Sequence, residues 1–276
     1  MYESYWCLKE KPFQNTPDSN YLYLSGQHED ALMKLSYVVA QDLGCGLLTG
    51  VFGCGKTLLG RVVVNGLGKD RYASAFVNCL TASEPAELLR AIVRSLSPQS
   101  LPEKKTEIMA DSLLEKLNNI LLDNIRDGKR NIIIVDEAHT IEDPRIFEQL
   151  RMILNFQQED KFLLTLLIFG QPELKDKVTI SKPLEQRIAV RCHLNPFSEE
   201  DVGKYILHRL KISGRPDPSA EVFTKEAIKF IAKYSGGIPR RINTLCDLVL
   251  MTGFAKKANQ IDQDLVELAI KDFNVT

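Results

Sequence analysis

Residues 45–57 read CGLLTGVFGCGKT, and the last eight, Gly50 to Thr57, fit the spacing G-x-x-x-x-G-K-[ST]. Each position has a physical duty. Gly50, Gly53 and Gly55 permit backbone angles and close approaches that a side chain would block. The loop N–H groups, those of Cys54 and Leu58 included, then turn inward toward phosphate oxygens, helped by the N-terminus of the following helix. Lys56 neutralises β/γ-phosphate charge, and the Thr57 hydroxyl is a ligand for Mg²⁺. The context agrees: a short apolar strand at Cys45–Thr49 runs into the loop, and a helix follows over about 56–67. Cys54, inside the loop and near Lys56, is expected to be a surface-near, readily alkylated thiol.

Outward from the loop, strands and helices alternate. YASAFVN at 72–78 is a second strand, and NIIIVDEAH carries a third, whose β-branched run Ile132 to Val135 predicts burial on both faces. FLLTLLIF at 162–169 and IAVRCHL at 188–194 are the fourth and fifth. Helices are expected from Ser25 to about Leu43, from Ser83-Pro85 through Leu96, over about 107–127, and from Asp143-Pro144 onward. This alternation predicts an α/β fold, a P-loop NTPase core with a mostly parallel five-stranded sheet. After Pro196 the pattern changes to helices alone, at about 199–212, 224–235, 239–256 and 263–272. The expected division is an α/β domain over 1–195, with 1–24 as an extended aromatic segment, and a small helical lid over 196–276.

The second acidic feature ends the third strand. Asp136-Glu137 would lie where both carboxylates reach a ligand held by the neighbouring loop. Asp136 is the expected Mg²⁺ ligand, and Glu137 the group that polarises an attacking water. His139 completes the letters DEAH, which also occur in helicases. A helicase needs two such α/β domains, and this chain has room for one, so His139 reads as a structural or communicating residue.

Composition narrows the function further. The 276 residues carry 35 Lys and Arg against 36 Asp and Glu, so no long-range field draws the chain onto nucleic acid. Basic residues form only small pairs: Lys104-Lys105, Lys129-Arg130, Arg240-Arg241 and Lys256-Lys257. Six cysteines, at 7, 45, 54, 79, 192 and 246, have no zinc-finger spacing and read as free, mostly buried thiols of a reducing cytoplasm. No apolar run reaches the roughly 20 residues of a membrane-spanning helix, and no signal peptide is visible.

The opening segment Tyr2–Leu32, the GVFGCGKT loop, VDEAH, FGQPEL at 169–174, LEQRIAVRCHLNPFSEED at 184–201 and GGIPRRINTLCD at 236–247 together resemble the ExeA family of AAA+ ATPases. The resemblance runs from Tyr2 to about Asp272, and its opening segment and GQPEL are more specific than the loop or the acidic pair. It implies strand order 5-1-4-3-2, a helical lid, ATP with Mg²⁺, and self-association into a ring or filament with ATP at subunit interfaces. It also implies secretion or pilus assembly proteins as partners, with a transposition or replication ATPase acting on DNA as the alternative. A cytoplasmic protein, recruited to the inner membrane by a partner, would fit.

By the same resemblance Gln171 stands at the sensor 1 position and Arg187 at that of a trans-acting arginine finger, with Arg191 a rival. Arg240 stands at sensor 2, with Arg241 beside it. Tyr23 and His28 fall in the entry segment near adenine, where packing is an equal reading. ExeA-type proteins can carry a transmembrane helix and a peptidoglycan-binding domain after the ATPase. Neither is seen here, so a soluble member or a fragment is expected, without a direct role at the cell wall.

Overall fold

The computed structural model describes residues 1–16, 18–79, 84–98, 110–158, 161–215 and 222–273. The expected cap Ser83, the pair Lys104-Lys105 and the first turn of the helix foreseen at 107 lie outside these residues. The chain forms two compact units. One holds His28–Val51 and Leu59–Leu194; the other holds Met1–Gln27, Phe52–Leu58 and Asn195–Thr276.

The first unit is built on five strands: β1 Cys45–Gly50, β2 Tyr72–Asn78, β3 Arg130–Asp136, β4 Leu164–Gly170 and β5 Ile188–Leu194. All pairs are parallel, in the order β2-β3-β4-β1-β5. Read from the other side this is 5-1-4-3-2, the order the family resemblance implies. The apolar runs are buried because both faces of the sheet are covered. Leu47, Ile133, Val135, Leu166 and Ile168 share one core with α3 (Pro85–Leu96), α4 (Ala110–Arg126) and α5 (Pro144–Ile153). On the other face Leu35 and Val38 of α1 (Gly26–Ala40) meet Leu167 at Gly46, and α2 (Lys56–Asn65) lies close to Phe169 and Phe76.

Local signals set several boundaries. Asp143 caps α5, its side chain accepting from the Arg145 N–H, with Pro144 in the first turn. Helix α3 is capped at Glu84 without a side-chain hydrogen bond. The run FLLTLLIF is not one strand. Phe162 pairs with Gln157 in an antiparallel pair of two-residue strands, and β4 starts only at Leu164. Buried Asn131 fixes this corner by donating to the Leu121 and Leu163 carbonyls and accepting from Asn124. Two short helices, α6 (Leu174–Ile180) and α7 (Lys182–Glu185), follow β4; their stretches are too short to show a helical period.

The second unit carries α8 (Glu199–Ile212), α9 (Lys225–Ser235), α10 (Pro239–Ala255) and α11 (Gln263–Phe273). Ser198 and Thr224 cap α8 and α9 as their positions predict, accepting from the N–H groups of Asp201 and Ala227. A parallel bridge, Phe223 to Ile261, ties the segments before α9 and α11. The N-terminal segment corrects the sequence reading. Tyr2, Trp6, Leu8 and Phe13 are buried in the core of the helical unit, so residues 1–24 belong there and not with the sheet. Arg209 holds the segment in place. It is 4% exposed, donates to the carbonyls of Pro12 and Gln14, and stacks 4.3 Å from the Tyr21 ring centre. A buried guanidinium is tolerable only with its donors satisfied.

Trp6 donates its indole N–H to the Leu250 carbonyl at 2.9 Å and is 4% exposed. It is the one tryptophan of the chain, so its fluorescence reports the helical unit alone. Trp6→Ala should destabilise that unit by about 3–5 kcal/mol, the usual cost of emptying a large aromatic site. Urea unfolding followed by circular dichroism measures it; a loss below about 1 kcal/mol would mean the segment is an accessory strap.

Candidate nucleotide site

In the helical unit, the loop residues Phe52–Leu58 lie against the start of α10. Gly53 has φ +86°, and a Cβ there would sit 2.8 Å from Cβ of Arg240 and 3.1 Å from Cγ2 of Ile238. Glycine is required on both counts, conformation and space. Gly55 shares the positive φ. Lys56 opens α2 and is buried at 4% exposure. Phe52, an exposed aromatic in the middle of the loop, has the Arg240 guanidinium 4.7 Å from its ring centre. The loop from Phe52 onward and Arg240 therefore share one unit, and Phe52 is the contact residue that the motif leaves unspecified. Its signal was its type: a large aromatic side chain next to the glycines of the loop.

Cys54 departs from the expectation. It is 1% exposed, and burial pushes its thiol up to about 11, with Lys56 opposing only in part. Desolvation of the thiolate outweighs the nearby ammonium. The side chain turns into the protein, and what Cys54 offers the loop is its backbone.

The α/β unit carries the acidic pair at the end of β3. Gly50, Asp136, Gly170, Asn78 and Leu194 end their strands at the same edge. Asp136 is fully buried and accepts the Glu137 N–H at 2.9 Å. Glu137 is left-handed, φ +56° and ψ +31°, which is unusual for a residue with a long side chain. The chain turns there into a short 3-10 turn, Ala138–Thr140. Nδ1 of His139 lies 3.3 Å from Oε2 of Glu137, and its Nε2 lies 2.8 Å from Nε2 of Gln171, just after β4. Lys177 on α6 donates to the carbonyls of His139 and Ile141. Thr140 bonds the carbonyls of Glu137 and Cys79. The structure thus gathers Glu137 and Gln171 around His139, which the letters DEAH alone could not assign.

The remaining candidates have other neighbours within their own units. Arg187 precedes β5, at the opposite, N-terminal end of the strands. Its Nη1 donates to the Leu154 carbonyl at 3.0 Å, and its guanidinium lies 5.9 Å from the Phe162 ring centre. Arg191, on β5, is exposed and pairs loosely with Glu185 at 3.4 Å. Tyr23 sits among Phe197, Tyr205 and His208, with its hydroxyl 3.4 Å from Asp201. His28 is buried in α1. Of the basic pairs, Arg130 is engaged with the Ala40 carbonyl and Asp42.

The oxygens of Thr57 and Asp136 are the hard donors Mg²⁺ prefers, and it needs few of them because it keeps waters and phosphate oxygens. Among the described residues no group of three or more His, Cys, Asp and Glu is placed to hold a metal. No helix of the described residues is long and apolar enough to cross a membrane.

Comparison with known proteins places the fold. An AAA domain matches residues 40–178. General secretion pathway protein A of Aeromonas hydrophila is 35% identical over 98% of the chain, which spans 48% of that protein. Among solved structures, Drosophila ORC bound to DNA superposes with a TM-score of 0.73 at 16% identity, over 100% of this chain and 67% of that one. Cdc6p of Pyrobaculum aerophilum gives 0.73 at 18% identity, over 92% and 70%. At these identities the two structures speak to the fold alone.

The cysteine environments generate a direct test. Cys45, Cys54, Cys79, Cys192 and Cys246 are buried and all five thiols are raised by desolvation, whereas Cys7 is exposed. Brief iodoacetamide treatment of the native chain at pH 8 should label Cys7 first. Cys54 should stay at background until the pH approaches about 11 or the chain unfolds. Peptide mapping that found Cys54 labelled as fast as Cys7 would restore the reactive-thiol reading.

Proposed function

The chain belongs to the AAA-domain family of ATPases, and we propose that it works as an ATP-driven switch that assembles or remodels a protein complex of type II secretion or pilus biogenesis. The observation that carries the pathway is the 35% identity to General secretion pathway protein A along 98% of the chain. The chain spans about half of that relative, so its partners and its recruitment to a membrane are part of the proposal. The fold shared with ORC does not favour a DNA-bound role, and the near-zero net charge gives no field for one.

In this reading the loop N–H groups and Lys56 hold the phosphates, and Arg240, placed beside Gly53, answers the γ-phosphate. Thr57 and Asp136 would hold Mg²⁺, which would supply charge neutralisation at the phosphate oxygens. Glu137 accepts the proton of the attacking water. Arg187 completes the site of a neighbouring copy, giving up its hydrogen bond to Leu154 to do so. Such head-to-tail contacts build rings or filaments.

Lys56→Ala should lose tight ATP binding, read by titration with a fluorescent ATP analogue. Glu137→Gln should bind the nucleotide with wild-type affinity and turn over at least about a hundredfold more slowly, within the usual range for a general base. Pull-down with this trapped variant, with a secretion-system subunit or a DNA duplex offered in separate arms, tests the pathway. Capture of DNA alone, lost as salt is raised, would replace the secretion reading.

Turnover per subunit should rise with protein concentration. Arg187→Ala should keep ATP binding and lose at least about tenfold in kcat, or ~1.4 kcal/mol of barrier. A fully active Arg187→Ala beside an inactive Arg191→Ala would move the finger to Arg191.

A further inference from the structure

We infer that His139 is a positioning residue that couples Gln171 to Glu137, so that the water-activating carboxylate is aimed by the residue that follows β4. The inference rests on the ATPase reading of Glu137. An amide nitrogen can only donate, so with Nε2 of Gln171 2.8 Å away the imidazole Nε2 is the acceptor. Its proton then sits on Nδ1, which faces Oε2 of Glu137 at 3.3 Å. Nδ1 is buried, and its geometry to Glu137 falls short of a hydrogen bond. It is a buried nitrogen beside a carboxylate oxygen, and an unmet buried donor is costly. A small rotation of the Glu137 side chain closes the bond and fixes one carboxylate oxygen, leaving the other to face the water.

The surroundings hold this imidazole firmly. Lys177 clamps the carbonyls of His139 and Ile141, and Thr140 clamps that of Glu137. Gly170 lets the turn approach β4: a Cβ there would lie 3.0 Å from the His139 nitrogen and 2.7 Å from Cδ2 of Leu174. Glu137 has the left-handed backbone that such sites maintain only when neighbours over-determine it. An imidazole that orients an active group through one nitrogen while a second partner fixes the other is a common arrangement. Gln171 thereby acts on the carboxylate through His139.

The test uses the full chain, with steady-state ATPase and titration of a fluorescent ATP analogue measured in parallel. His139→Ala should lose at least about tenfold in kcat while nucleotide affinity and KM stay within about twofold. Asn places its amide where Nδ1 stands, so His139→Asn should recover most of the loss. Gln places its amide where Nε2 stands, so His139→Gln should not. Gln171→Ala should add little to His139→Ala, because the two act in one chain. Wild-type kcat in His139→Ala overturns the inference, as does a fall in nucleotide affinity in step with kcat, which marks a merely structural role. Losses that multiply in the double variant overturn the link to Gln171. Should His139→Ala fail to fold, a Gln variant as active as the Asn variant overturns it. Glu137→Gln separates the two levels: an inactive Glu137→Gln beside a fully active His139→Ala removes only the coupling, whereas an active Glu137→Gln removes the water-activating assignment itself.

Discussion

A parallel sheet covered on both faces spends its backbone groups on the ladder and leaves only the strand ends open to a ligand, and this constraint organises the chemistry of the α/β unit. Gly50, Asp136 and Gly170 finish three adjacent strands in the order β3-β4-β1. Each strand hands on to a different device. Gly50 leads into the phosphate loop, Asp136 into the left-handed Glu137, and Gly170 into Gln171. Ligands of open α/β sheets are held at this edge because unsatisfied N–H groups and acidic side chains meet there.

Buried charge is used in two ways, and the difference separates scaffold from site. Arg209 is buried and answered by the carbonyls of Pro12 and Gln14 and by the ring of Tyr21. Its donors are spent on the fold, and removing it would release the N-terminal segment. Lys56 and Asp136 are also buried, yet they stand at a loop and at a strand end. In the proposed ATPase reading these are the places that meet phosphate and its counter-ion.

The sheet was legible because its signal is local. Four β-branched residues at 132–135 point to a strand covered on both sides, and the glycines of 50–55 point to a tight loop between a strand and a helix. The helical caps Ser198 and Thr224 were legible for the same reason. The aromatic segment was not. Tyr2, Trp6 and Phe13 have no period that names a partner, so nothing in their spacing points to α10, whose Leu250 takes the indole bond. Cys54 misled because the motif fixes the backbone of the loop and is silent on which way the thiol turns.

His139 shows why a site can be half legible. The string VDEAH fixes the order of the groups, and strand burial fixes where Asp136 ends. What brings His139 to Gln171 is a reversal at one residue: the left-handed turn at Glu137 sends the chain back across the end of β4. That passage is close enough to need a glycine at 170, because any Cβ there would press on the His139 nitrogen and on Leu174. Gly170 and Glu137 are 33 positions apart and carry no shared pattern, so their conformations become a joint requirement only once β3 and β4 are paired. An alanine at 170 would have to push Leu174 aside and lift the turn, moving the imidazole by a fraction of an ångström. Displacements of that size matter most where a proton must be accepted along a defined line.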